Sequence, residues 1–93
     1  MSTALQYTIE AHHDAATLYV TGTLSVTGVV AAMHACDELP ARVRTLRVDL
    51  RRIEGVEPSA YDALAFGTRR WRDVRAGVTR IELPRPEAPS AAA

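Results

Sequence analysis

The sequence predicts a small α/β domain in which an N-terminal β-hairpin leads into two β-α crossover units, giving a mixed four-stranded sheet with both helices on one face. Three observations carry that reading. Strict alternation of apolar and polar residues marks four short runs, and apolar residues at three- and four-residue spacing mark two longer ones, in the order β-β-α-β-α-β. Strands buried on both faces read as nearly continuous apolar runs; all four runs here alternate, so both helices must cover the same side.

The first run sets Tyr7, Ile9 and Ala11 against Thr8, Glu10 and His12, and the second sets Leu18 and Val20 against Thr17, Tyr19 and Thr21. His13-Asp14-Ala15 between them is short enough for a hairpin turn. Gly22 is expected to break the second strand, and Ser25 to cap the helix that follows. Val26, Val29, Val30, Met33 and Leu39 place that helix from Val26 to Leu39, ended by Pro40. The segment TLRVDL, Thr45 to Leu50, is the third strand. A second helix starts at Ser59, with Ala60, Leu64, Gly67, Trp71 and Val74 as its apolar stripe and Gly77 as the residue that a left-handed C-terminal turn prefers. VTRIEL alternates again as the last strand. Three prolines then fall at 84, 86 and 89, so Pro84 to Ala93 is expected to be a disordered tail and residues 1–83 a single domain. The helix-free face of the sheet should carry Thr8, Glu10, Tyr19, Arg47, Asp49, Arg80 and Glu82.

The 93 residues leave no room for a second domain. All eleven basic residues are arginine, eleven acids balance them, and the formal net charge is zero, which gives no electrostatic reason to expect nucleic acid or an anionic membrane as partner. Cys36 is the only cysteine, so neither an intramolecular disulfide nor a thiolate metal cluster can form. The start of the chain shows no leader pattern, and no apolar run approaches the ~20 residues that a membrane span needs. A soluble, cytoplasmic protein is expected.

The combination of LYVTGTLS, LRVDL and a serine opening the second helix resembles the STAS domain, the fold of the anti-sigma factor antagonists of bacteria. Gly22-Thr23-Leu24 matches the Gly-x-Leu turn that follows the second strand in that family, and Asp49-Leu50 matches the end of its third strand. Aligned without gaps from Asp49, the family's Asp-Ser-Ser-Gly motif falls on Glu57-Pro58-Ser59-Ala60. Glu57 keeps the acid, Pro58 replaces the first serine, and Ala60 replaces the glycine. The resemblance implies that Ser59 is the serine phosphorylated by a partner kinase. It further implies a signalling domain in transcription regulation whose partner surface is Leu24, Ser25, Glu57, Pro58, Ser59, Ala60 and Asp62. That partner would be an anti-sigma factor, a serine kinase or another STAS protein, with a homo-oligomer as a further outcome. The family closes with a helix after the last strand; here the prolines exclude it.

Two readings of Ser59 follow from physical chemistry. As an N-cap its hydroxyl would accept from an amide of the first turn, with Asp62 favouring the same helix end. As a switch it would carry a phosphate that the helix N-terminus tolerates and that repels an acidic partner beside Glu57 and Glu54. Other constellations are weaker. His34 and Cys36 lie about 200° apart around a helix, His12 and His13 have no acidic or thiol cluster, and no metal or other cofactor is expected. Ser59, His34 and Asp49 spell a triad without a G-x-S-x-G elbow, so no enzyme is expected. Arg69, Arg70, Arg72 and Arg75 read as a solvated helix face, and Trp71 and Leu64 as core anchors. The alternative to a phosphorylation switch is a STAS-like scaffold module that assembles with itself or with other STAS proteins.

Overall fold

The computed structural model describes residues 4–84. Its elements are β1 (Gln6–His12), β2 (Ala15–Leu24), α1 (Val26–Asp37), β3 (Thr45–Val56), α2 (Ala60–Arg75) and β4 (Val78–Glu82). The sheet order is β1-β2-β3-β4, with β1 antiparallel to β2 and the pairs β2/β3 and β3/β4 parallel. Each crossover steps one strand in the same direction. Because such connections are right-handed, both helices come to lie on one face. Among the described residues, the predicted tail is represented only by Pro84; the rest of that segment, with the expected missing helix, lies outside them.

The core forms where the helices meet the sheet. Leu18, Val20, Leu46, Val48 and Leu50 supply the strand side and are at most 2% exposed. On α1 the buried stripe is Val29, Ala32, Met33 and Cys36, the i, i+3, i+4, i+7 pattern of one helical face. Val30, expected in that stripe, sits one residue off it and is 61% exposed. On α2 the stripe is Ala60, Leu64, Thr68 and Trp71. Val74 was expected to continue it but turns to solvent, because Arg75, four residues after Trp71, lies over the indole with its guanidinium carbon 4.7 Å from the ring centroid. The Trp71 Nε1–H donates to the Cys36 carbonyl at 3.1 Å, which locks the two helices together at their C-terminal ends.

Three boundaries differ from the sequence expectation. Gly22 does not end β2: with φ 82° it takes up a register shift against β3, and the strand runs on to Leu24. β3 continues six residues beyond TLRVDL to Val56, pairing with β2 as far as Leu24 opposite Val56. α1 stops at Asp37, short of Leu39. At the end of α2 the left-handed residue is Ala76 (φ 50°), and Gly77 follows it, donating its amide to the Arg72 carbonyl at 2.9 Å. Gly77 is needed for a different reason: a Cβ there would lie 2.2 Å from the Arg44 carbonyl oxygen, which receives the Val78 amide as β4 joins the sheet.

Candidate functional site

The parallel strands β2 and β3 end side by side, and each turns directly into a helix. Leu24 lies opposite Val56, and the Glu57 amide donates to the Leu24 carbonyl at 2.9 Å, so the two strand-to-helix turns are tied to each other. At the first turn Ser25 has extended backbone (φ −120°, ψ 156°), and its Oγ accepts from the Gly28 amide at 3.1 Å, as the sequence predicted. The Glu57 carboxylate reaches across and accepts from the Val26 amide at 3.4 Å. Thus a residue of the α2 entry turn helps to satisfy the orphan amides of α1.

Ser59 behaves otherwise. Its backbone is already helical (φ −93°, ψ −4°), and its hydroxyl makes no capping hydrogen bond. The cap reading of this serine is therefore corrected: helical φ/ψ at this position turns the side chain away from the amides that an extended N-cap residue reaches. The first turn is closed by backbone instead, with the Ala60 amide donating to the Glu57 carbonyl at 3.0 Å and the Ala63 amide to the Ser59 carbonyl at 3.1 Å. The Ser59 side chain is exposed, as are Glu57, Pro58 and Asp62 around it.

The structure sorts the residues of the expected partner surface by burial. Ser25, Glu57, Pro58, Ser59 and Asp62 reach the surface at this end of the sheet. Leu24 and Ala60 do not: at 1% and 0% exposure their side chains are core, so neither offers itself to a partner. Two apolar residues that the sequence reading had not placed here are exposed at this end of the sheet. Val26 (37% exposed) opens α1, and Val56 (44%) closes β3. Val56 was legible as the last apolar residue before Glu57-Pro58; Val26 was hidden by its helical spacing to Val29.

On the helix-free face, three of the residues expected there, Arg47, Asp49 and Glu82, are joined through Arg51 in a line of ion pairs. Asp49 accepts from the Arg51 Nε at 3.1 Å, the Arg51 Nη2 at 2.9 Å and the Arg51 amide at 3.0 Å. Those Arg51 hydrogen bonds hold the Asp49 carboxyl at about 2, below the usual carboxylate range. Glu82 joins the line from β4, 2.7 Å from the Arg47 Nε and 3.5 Å from the Arg51 Nε, and its hydrogen bond from Arg47 lowers its pKa in turn. Asp49 is 6% exposed, so the arginine heads cover it and this part of the face is less wet than expected. Arg51 was not named among the face residues, although Arg51 and Asp49 two apart on a strand share a face.

Of the arginine cluster on α2, Arg75 is not a solvated residue. Its guanidinium donates to the carbonyls of Pro40 (2.8 Å), Leu39 (2.8 Å), Val43 (3.0 Å) and Asp37 (3.1 Å), closing the C-terminal end of α1 and the loop beyond it. Cys36, beneath it, is fully buried, and burial pushes its thiol up to about 11. His34 is exposed while Cys36 is not, so the two point apart. The rings of His12 and His13 lie 4.1 Å apart edge to face, and among the described residues no group of three or more His, Cys, Asp or Glu is placed to hold a metal ion.

No protein-family model matches the sequence, and no curated protein matches it. Solved structures do match. The crystal structure of Mglu superimposes with a TM-score of 0.72 at 24% identity over 86% of this chain, which spans only 19% of the Mglu chain. The anti-sigma factor antagonist SpoIIAA in its unphosphorylated form gives 0.68 at 18% identity, covering 87% of this chain and 72% of SpoIIAA. The STAS domain of an anti-sigma-factor antagonist from Rhodobacter sphaeroides gives 0.62 at 21% identity, covering 83% and 84%. Element order, sheet order and these likenesses together give this chain the fold of the STAS domain.

Proposed function

We propose that the chain is a regulatory protein–protein interaction domain of the anti-sigma factor antagonist kind, switched by phosphorylation of Ser59 by a partner serine kinase. The observation that carries this reading is the state of Ser59. Its hydroxyl stands exposed at the start of α2 and is not used by the fold, while the neighbouring turn is capped by Ser25. A phosphate at that position would meet the positive end of α2 and leave the domain folded. It would also place new negative charge beside Glu57 and Asp62 and next to the exposed Val26 and Val56, which turns an apolar docking edge into a repulsive one for an acidic partner. Ser25, Glu57, Pro58 and Asp62 complete the docking surface. The partner is an anti-sigma factor, a serine kinase of that type, or another STAS protein. A cytoplasmic setting is part of this reading; among the described residues no helix is long and apolar enough to cross a membrane.

Peptide mass spectrometry of the chain recovered from its host, with and without phosphatase treatment, tests the modification. Phosphate on the peptide containing Ser59, removed by phosphatase, is the expected result. A chain co-purifying with a kinase of this type, yet unmodified at Ser59 in the presence of ATP, would leave the scaffold alternative as the account of the fold.

A further inference from the structure

The outer surface of the helix layer carries the largest apolar exposure among the described residues. Phe66 (68%), Val30 (61%) and Val74 (76%) project from α1 and α2 away from the sheet. Val30 and Phe66 flank a groove of about 330 Å³ between the helices, floored by Met33 and Gly67, with Asp37 and Arg70 across one end at 3.7 Å. A second hollow continues along α2 from Phe66 to Val74 past Arg69 and Asp73. Scattered single apolar residues need no explanation, but a contiguous groove rimmed by charge marks an interface.

We propose that this groove is a self-association surface and that its occupant is a second copy of this chain. Charge placement selects that occupant. α1 and α2 each return between parallel strands, so they run in the same direction, and the groove pairs their residues at equal heights. The acids of α1 lie at its C-terminal end, Asp37 with Glu38 just beyond it; at the same height α2 carries Arg69 and Arg70. A two-fold axis running along the groove places α1 of one copy on α2 of the other, in the same direction. Val30 then meets Phe66 of the second copy, and Asp37 meets its Arg70, each contact made twice. The surface is complementary to itself in sign. The zero formal net charge removes the long-range repulsion that would oppose two like chains.

The size of the face sets the expected strength. Helices of 12 and 16 residues are about 18 and 24 Å long at ~1.5 Å per residue, so two of them side by side present a face at the small end of stable interfaces. A weak, concentration-dependent dimer with Kd on the order of micromolar to tens of micromolar follows. The groove begins a turn beyond Ser59, so this inference stands whether or not Ser59 is modified.

Sedimentation equilibrium of the full chain over a broad concentration range reads the assembly directly. Wild type should dimerise, and Phe66→Ser, whose side chain is outside the core, should raise Kd at least about tenfold with unchanged circular dichroism. Asp37→Arg and Arg70→Asp should each lose the dimer alone, since each sets like charges against each other across the two-fold. Mixed one to one they should recover it, because both cross-chain pairs are then opposite in sign. An intrachain role of the Asp37–Arg70 pair cannot produce that recovery. A wild-type chain that stays monomeric overturns the proposal, as does a dimer indifferent to Phe66→Ser or a mixture that does not recover. A variant ending at Pro84 that dimerises where the full chain does not would assign the groove to the chain's own C-terminal segment and overturn it equally.

Discussion

Ser25 and Ser59 open the two helices from adjoining turns, and only Ser25 has its hydroxyl on a helix amide, that of Gly28 at 3.1 Å. The difference is set by backbone: Ser25 is extended and Ser59 is already helical. One serine hydroxyl is committed to the fold, and the other makes no capping hydrogen bond.

Equilibrium urea unfolding should separate the two. Ser25→Ala is expected to lose about 1 kcal/mol with the cap, whereas Ser59→Ala should change stability by no more than about 0.5 kcal/mol. Equal losses at both positions would mean that Ser59 caps α2 after all.

Arg75 is expected to be the most costly arginine of α2. Its planar fork satisfies carbonyls at Asp37, Leu39, Pro40 and Val43 and covers the Trp71 ring, a geometry that one ammonium cannot reproduce. Arg75→Lys should lower stability by about 1–3 kcal/mol, while Arg69→Lys, on the exposed surface, should be nearly neutral. Thermal melts of the two variants check the contrast.

The end of α2 offers a paired test. Ala76 occupies a left-handed conformation at φ 50°, so Ala76→Gly should stabilise by about 0.5–1 kcal/mol. Gly77→Ala should destabilise by about 1–3 kcal/mol, since its Cβ would meet the Arg44 carbonyl at 2.2 Å. The opposite order in chemical denaturation would contradict the geometry of the α2–β4 turn.

Asp49 makes stability depend on acid. Its folded pKa, about 2, is below its unfolded value near 4, so its contribution is fully present above pH 4 and is lost as pH falls toward 2. The shift corresponds to at most about 2.5 kcal/mol, and the half-exposed Arg51 head reduces that to about 1 kcal/mol. Glu82 adds to the loss in the same direction. Unfolding free energies of wild type and Asp49→Asn should therefore converge between pH 4 and pH 2; parallel curves would remove Asp49 from the account.

The architecture was legible because alternation and helical spacing depend only on which side chains face the core. Leu18, Val20, Val48 and Leu64 fall where their periodicity puts them. What was not legible depended on three-dimensional partners. Val74 is in phase with Trp71, but Arg75 takes the place over the indole because the carbonyls at the end of α1 lie within its reach. The extension of β3 to Val56 was obscured by Arg51-Arg52 and Gly55, which weaken the alternation even though β2 supplies pairing along that length. At the candidate site the sequence placed Ser59 at the start of α2, but whether its hydroxyl was engaged turned on φ and ψ, which a serine followed by Asp62 does not determine. Leu24 and Ala60 were assigned to a surface by motif alignment, and burial removes them from it.

We propose that Ser59 is free for use as a binding switch. The most direct measurement is a binding isotherm of the partner kinase captured by the wild-type chain, taken against wild type, Ser59→Ala and Ser59→Asp after melts have shown all three folded. The expected result is that the Ala variant binds like wild type and accepts no phosphate, while the Asp variant, equally stable, binds at least about tenfold more weakly because its charge opposes an acidic partner beside Glu57 and Asp62. Equal affinities for all three proteins would contradict it.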